Sequence, residues 1–256
     1  MTGPDTAQRF VKYAVLTTQR SGSTWLMSSL NGLEGVAGFL ELFLPHSPAK
    51  DPTWLVNPHP DSFYDWHRRA GGLRPLATRR YLRALPAQAP GAQAVGFKVM
   101  INQALRYYPE VLPLLRAQGY RLIVLTRDPL ELAISRYFAQ TTRVSHRAER
   151  SEVARVHIDP AWARRDIRRR RLEFRLARHA VGWLGFRAHW IDYADMKGDI
   201  EGTLQACAAF LGQAGARLAD RSPMVKVVDA PYAEVVANYS DLLDIARQEY
   251  LEQPSV

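Results

Sequence analysis

The fold of this chain is decided by residues 13–26, which read YAVLTTQRSGSTWL. The apolar run at 13–16 is typical of a buried strand in a parallel sheet, and the apolar spacing from Trp25 onward indicates a helix. The polar residues between them would direct backbone N–H groups, with the positive end of a helix dipole, at one point. We therefore predict a strand, a tight turn and a helix that bind a phosphate or sulfate group.

The composition of the turn suits an anion. Gly22 can adopt a left-handed conformation and lets a ligand approach closely. Ser23 and Thr24 bring hydroxyl donors, and Arg20 brings a fixed positive charge. These residues alone leave two interpretations open, an anion-binding loop and an ordinary helix N-cap at Ser21 or Ser23. The Walker pattern G-x-x-x-x-G-K-[ST] does not fit, because its first Gly and its Lys are absent.

Two further motifs accompany this turn, and together they carry a family resemblance. The stretch RSGSTWL at 20–26 resembles the first signature of the sulfotransferases that use 3′-phosphoadenosine 5′-phosphosulfate (PAPS). The second signature is similar to the strand at 122–126, followed by Arg127-Asp128-Pro129 and, eight residues after the Arg, Ser135. The third and weakest match, IDYADM at 191–196, looks like the family's Y-E-D-L segment.

The resemblance implies an α/β protein, with residues 1–256 as a single sulfotransferase domain. Its sheet would be parallel and central, flanked by helices, with a P-loop-like nucleotide site. The alternation of strands and helices independently favours a parallel sheet covered on both faces. Ligands of such sheets bind at the carboxyl ends of the strands. The charged residues that we predict at those ends are Arg20, Glu41, Lys98 and Arg127.

The nucleotide roles come from the resemblance. It implies that Arg20 and the backbone of residues 21–24 hold the 5′-phosphosulfate, and that Arg127 and Ser135 hold the 3′-phosphate. Trp25 belongs to the same signature and is counted with the nucleotide site, although it would also pack as core. The alternative for Arg127 is a surface ion pair with Asp128 or Glu131.

A tail residue completes the nucleotide site. Lys226 lies in a segment similar to one that closes over the nucleotide in bacterial carbohydrate-type members. The resemblance implies PAPS as cosubstrate and adenosine 3′,5′-bisphosphate as product, with no metal required.

A hydroxyl acceptor also needs a base. The family branch acting on phenols and steroids places a His two residues after a strand Lys, but Met100 stands two residues after Lys98. The stretch GFLELF at 38–43 resembles the G-x-x-E-[LF]-F pattern of the carbohydrate branch. We therefore predict Glu41 as the base.

The other catalytic assignments are less direct. Lys98 would neutralise charge near the transferring sulfuryl group, or it could reach solvent as a strand-end lysine. His46 and His59 are alternative bases, and Glu41 could instead pair with an arginine for structure.

Composition bounds the partners. The chain has 34 basic and 25 acidic residues and a net charge of +9, which favours anionic ligands. We predict a small-molecule, glycan or lipid-like alcohol as acceptor, and no nucleic acid. A polyanion binder using the Arg-rich residues 143–175 and an unusual P-loop kinase are the alternatives.

The remaining expectations concern the ends and the long connections. Residues 1–11 would be a flexible lead-in, and 45–60 and 141–180 would be excursions on the substrate side or the surface. One cysteine, Cys207, excludes an internal disulfide and indicates a reducing compartment. We find no signal peptide or membrane span in the sequence and expect a cytoplasmic protein. Abundant Ala, Arg and Leu indicate a bacterial source.

Overall fold

The computed structural model describes residues 10–45, 60–142, 155–218 and 231–251. Five strands form one sheet in the order β2-β3-β1-β4-β5, and each neighbouring pair is parallel. The strands are β1 Val11–Thr17, β2 Val36–Glu41, β3 Ala94–Met100, β4 Arg121–Thr126 and β5 Ala188–Asp192. The predicted α/β class with a central parallel sheet is confirmed.

Helices cover the sheet on both faces. They are α1 Ser23–Asn31, α2 Phe63–Ala70, α3 Arg74–Ala84, α4 Val111–Ala117, α5 Pro129–Thr142, α6 Pro160–Trp183, α7 Tyr193–Gly198, α8 Ile200–Phe210, α9 Tyr232–Val235 and α10 Tyr239–Leu251. A 3-10 turn at Leu85–Gln88 and a π-helical turn at Gln103–Tyr107 flank β3. Among the described residues, no helix combines the length and the apolar composition needed to cross a bilayer.

The central strand β1 divides the core in two. Its residues Ala14 and Leu16 pack into a core shared with α2, α3 and α4, whereas Tyr13 and Val15 pack into one shared with α1 and α8. This alternation follows from the two-residue period of a strand, and both faces are apolar because both are covered. Cys207 lies fully buried in the second core.

Two stretches differ from what their sequence pattern indicates. Residues 61–85 have the pattern of a basic helical segment, and they form two helices, because Gly71 and Gly72 adopt φ angles of 65° and 86° and end α2. Residues 107–118 have the pattern of one helix, but α4 begins only at Val111, since the π-helical turn occupies 103–107.

A third core joins the end of the chain to the rest. The sequence predicts only a tail after α8, but α9 and α10 pack with α5 and α6 around Phe138, Ile167 and Leu242. Helix α6 carries most of the described Arg-rich segment, and four of its arginines form ion pairs with carboxylates. Arg164 and Arg168 both reach Glu249 of α10.

Candidate functional site

The turn between β1 and α1 has an unusual backbone. Arg20 and Gly22 both adopt left-handed conformations, with φ angles of 68° and 87°. Gly22 is the N-cap of α1 and offers no side-chain cap, and the Leu26 N–H makes a helical bond to its carbonyl at 3.0 Å. The N–H groups of the first helical turn precede that bond and point out of the helix end. The interpretation as a side-chain N-cap at Ser21 or Ser23 is therefore wrong.

Gly22 is also the point where the first and third motifs meet. A Cβ atom placed on Gly22 would lie 2.5 Å from the ring of Tyr193 and 3.3 Å from Met196. Both residues belong to α7, which follows β5 directly. The close approach of this helix fixes the turn from one side.

The side chain of Ser21 points inward. The Thr17 hydroxyl lies 2.6 Å from Ser21 Oγ and 2.8 Å from the Leu125 carbonyl. Thr17 has one proton and gives it to the carbonyl, so Ser21 donates to Thr17. The Ser21 hydroxyl thus ties the turn to Thr17 of β1, which in turn bonds to β4. The hydroxyl is therefore engaged within the protein and does not face a ligand.

Arg127 follows β4 and is buried, with 6% of its surface exposed. Its Nε and Nη2 donate to one Glu131 oxygen at 3.0 and 2.8 Å, and its Nη1 donates to the Arg20 carbonyl at 2.9 Å. The guanidinium lies 4.0 Å from the centre of the Tyr193 ring. The alternative of an ion pair between Arg127 and Glu131 is confirmed, but Arg127 does not lie at the surface.

Arg20 converges on the same place from the opposite side. Its Nε lies 3.4 Å from the Ser135 hydroxyl. Burial lowers the pKa of Arg20, and the nearby charge of Arg127 lowers it further. The Arg127 guanidinium is buried and already pairs with Glu131, whereas Arg20 is half-buried. The like charges of the two arginines repel one another, and a further anion close to both relieves that repulsion. The predicted residues Arg20, Arg127 and Ser135 therefore lie together beside the turn, and we call this cluster the basic pocket.

A second cluster lies at the ends of β2 and β3. Lys98 Nζ is 3.2 Å from Glu41 Oε1 and 3.3 Å from Thr24 Oγ1, which connects Glu41 to the turn. The Lys98 side chain is 5% exposed and that of Glu41 is 23% exposed. Lys98 thus does not reach solvent, and Glu41 pairs with a lysine instead of an arginine.

An irregularity in β2 produces this contact. Phe39 stands opposite Phe97, but Glu41 stands opposite Lys98, so one extra residue lies in β2 between them. In a regular register Leu40 would occupy the place across from Lys98. Such bulges re-aim side chains at strand ends, and this one brings a carboxylate to an ammonium group.

Two residues of the site, Gln103 and Tyr232, belong to none of the motifs. The Gln103 amide donates to Glu41 Oε2 at 2.8 Å, and the Tyr232 hydroxyl accepts from Arg127 Nη2 at 3.0 Å. Tyr193 belongs to the third motif, which assigns it no role. The distance of Gln103 and Tyr232 along the chain from the motifs does not predict a role in the site. Gln103 reaches the site through a π-helical turn, and Tyr232 reaches it through a long-range contact.

Of the remaining predicted residues, the structure describes Trp25 but not the tail lysine or the two histidines. Trp25 is half-buried against the second core, with its ring edge-on to Tyr193 at 6.4 Å. Lys226, His46 and His59 lie outside the described residues. Within the described ranges, no group of three or more His, Cys, Asp or Glu side chains could hold a metal ion.

Among known proteins, this chain matches solved structures but neither a family model nor a curated protein. It is similar to a sulfotransferase from Alicyclobacillus acidocaldarius, with 15% identity, 96% of this chain and 97% of that chain covered, and a TM-score of 0.49.

Two further solved structures that are similar to this chain are also described as sulfotransferases. The sulfotransferase domain from the Synechococcus PCC 7002 olefin synthase is 16% identical, with 98% of each chain covered and a TM-score of 0.46. Mouse sulfotransferase SULT7A1, complexed with PAP, is 15% identical, with 98% of this chain and 69% of that chain covered and a TM-score of 0.41. These structures bear the name of the family that the motifs resemble.

Proposed function

We propose that this protein is a PAPS-dependent sulfotransferase. It would move the sulfuryl group of PAPS to a hydroxyl of a small-molecule, carbohydrate or lipid-like acceptor and release adenosine 3′,5′-bisphosphate (PAP). One observation carries the proposal. The turn that leads into α1 contacts both the basic pocket and a Glu–Lys pair: Arg20 lies beside Ser135 and accepts from Arg127 through its carbonyl, and Thr24 contacts the pair through Lys98.

The nucleotide would lie across the turn. Backbone N–H groups of residues 21–24 and the Arg20 side chain would bind the phosphosulfate, and Arg127 with Ser135 would bind the 3′-phosphate. Arg20 lies beside Ser135, so we expect its guanidinium to serve both phosphates. Charge-assisted hydrogen bonds from arginine suit phosphate oxygens.

The chemistry needs three events at the Glu41 end of the site. The acceptor oxygen attacks the sulfur in line, the bond from sulfur to the phosphate oxygen breaks, and the acceptor proton passes to Glu41. Negative charge grows on the leaving phosphate, where Lys98 and the turn stabilise it. The products are a sulfate ester, PAP and one proton.

The proposal also includes a bacterial source and a cytoplasmic location. The lone cysteine and the abundance of Ala, Arg and Leu in the sequence are typical of a bacterial cytoplasmic protein.

Calorimetry and mass spectrometry test the assignment together. We expect PAP to bind with a Kd of about 1 μM, and PAPS with the correct alcohol to give a sulfated product. Absence of PAP binding at millimolar concentration would overturn the proposal.

Glu41→Gln separates catalysis from binding. The substitution removes the proton acceptor but keeps the shape, so we expect turnover to fall about 100-fold or more while PAP affinity changes less than about twofold. A variant with normal turnover would refute the role of Glu41 and leave the nucleotide assignment intact.

Arg127→Lys tests which phosphate the basic pocket binds. Lysine keeps the charge but loses the forked donor geometry, so PAP affinity should fall about 10- to 100-fold. Adenosine 5′-phosphate lacks the 3′-phosphate, so its affinity should barely change. The exposed Arg165 offers the same substitution as a control, and equal losses for both nucleotides would contradict the assignment.

The polyanion-binding alternative has less support. Four described arginines of α6 are held by carboxylates: Arg164, Arg168, Arg169 and Arg170. A nucleic-acid binder would show affinity that falls steeply with salt and no preference for a 3′-phosphate.

A further inference from the structure

We propose that Gln103 is a positioning residue that fixes the Glu41 carboxylate for proton transfer. The inference rests on the proposed function, because it takes Glu41 to be the base. No sequence motif includes Gln103, and its side chain is 3% exposed.

Both ends of the Gln103 amide are engaged. Its oxygen accepts from the Met100 N–H at 3.1 Å, and its nitrogen donates to Glu41 Oε2 at 2.8 Å. The reverse orientation would place NH₂ against an N–H and a carbonyl oxygen against a carboxylate, which are two repulsive contacts. The amide therefore has one satisfactory orientation.

The carboxylate is held from two sides. Lys98 lies on Oε1 at 3.2 Å and Gln103 on Oε2 at 2.8 Å. Each carboxylate oxygen has two lone pairs, so a donor on each leaves a further lone pair on each oxygen for an incoming hydroxyl. The exposed part of Glu41 gives that hydroxyl access, while the two donors fix the plane of the carboxylate.

The backbone around Gln103 explains how it reaches Glu41. Gln103 begins the π-helical turn Gln103–Tyr107, in which the Tyr108 N–H donates to the Gln103 carbonyl at 2.8 Å. Such turns are rare and frequent at functional sites. The bond to Met100, the last residue of β3, ties the turn to the sheet that carries Lys98.

A purely structural role would use only half of this amide. Satisfying the buried Met100 N–H requires the oxygen alone, whereas the bond to Glu41 requires the nitrogen. Gln103→Glu keeps an oxygen for Met100 and replaces the donor by a second carboxylate, so it separates the two roles with little change in volume.

The first experiment measures pH profiles with PAPS and the alcohol found in the product screen. Two carboxyl groups within hydrogen-bonding distance hold on to a proton. We therefore expect Gln103→Glu to move the acid limb of the kcat profile up by about one pH unit or more, and to lower kcat near neutral pH about tenfold. KM for PAPS and Kd for PAP should stay within about twofold.

The matched control is Gln88→Glu. Gln88 is exposed in the 3-10 turn Leu85–Gln88, which precedes β3, at the opposite end of that strand from Met100. It introduces the same charge and should leave the profile unchanged. Identical profiles for the two variants would overturn the inference.

The second experiment needs no turnover. A crystal structure of Gln103→Leu should show the Glu41 carboxylate turned away from its place beside Lys98, and an unmoved carboxylate would overturn the inference. If the wild-type protein failed to bind PAP, the proposed function would fail, yet this comparison would still decide whether Gln103 positions Glu41.

Discussion

At the scale of single residues, Gly22 carries two constraints at once. Its φ of 87° is strained for other residues, and a Cβ would lie 2.5 Å from the Tyr193 ring. Gly22→Ala must therefore move either the turn or α7. We expect PAP affinity to fall about tenfold or more and the free energy of unfolding to fall by about 2 kcal/mol. Calorimetry and urea unfolding measure the two effects.

Gly71→Ala separates strain from the clash. Gly71 also has a positive φ, of 65°, but no atom lies within 4 Å of the position its Cβ would take. We expect a stability loss of about 1 kcal/mol with unchanged PAP affinity. Equal losses of affinity in both variants would show that the contact between Gly22 and Tyr193 has no part in nucleotide binding.

The sequence predicts some of these residue contacts and not others. The family resemblance assigned Arg127 and Ser135 to one pocket, and their spacing is compatible with it, because a strand end and a position two helical turns later can face the same way. The pairing of Glu41 with Lys98 could not be read, since it depends on one extra residue in β2. Tyr232 meets Arg127 across a separation of 105 residues, where no local pattern operates.

At the scale of elements, α10 is held to α6 through one buried carboxylate. Glu249 is 1% exposed and pairs with Arg164 at 3.0 Å and with Arg168 at 2.6 Å. The arginines are partly exposed, so solvent weakens the attraction, but removal of the carboxylate charge leaves two cations side by side. The joint between the two helices therefore depends on Glu249.

Glu249→Gln should weaken that joint. We expect the free energy of unfolding to fall by about 2 kcal/mol, below the range for a fully buried pair. Urea unfolding followed by circular dichroism gives the value. Asp244→Asn on the same helix is the control, because the Asp244–Arg247 pair is 66% and 73% exposed and should contribute less than about 0.5 kcal/mol. Indistinguishable variants would contradict a stabilising role for Glu249.

At the scale of the whole molecule, the sheet was predictable and the end of the chain was not. Strand–helix alternation and apolar runs such as 122–125 determine a parallel sheet with two covered faces. The C-terminal helices α9 and α10 carry no motif, and their positions come from packing against α5 and α6. That packing also brings Tyr232 to Arg127, so the last helices help to build the basic pocket.

The basic pocket is built from distant parts of the chain and exists only in the folded protein. We therefore predict that bound nucleotide raises the melting temperature Tm. Ligands that bind only the folded state stabilise it, by about 4 kcal/mol at a thousandfold excess over Kd. For a chain of 256 residues, we expect saturating PAP to raise Tm by about 10 °C. Differential scanning calorimetry measures the shift.

Two comparisons assign that shift to the proposed contacts. Adenosine 5′-phosphate has the same base and ribose but lacks the 3′-phosphate, so it should raise Tm much less at equal concentration. In Arg127→Lys the difference between the two nucleotides should shrink, because the forked donor that distinguishes them is gone. An equal shift for both nucleotides in the wild-type protein would mean that Arg20 and Arg127, although they lie in one cluster, do not select the 3′-phosphate.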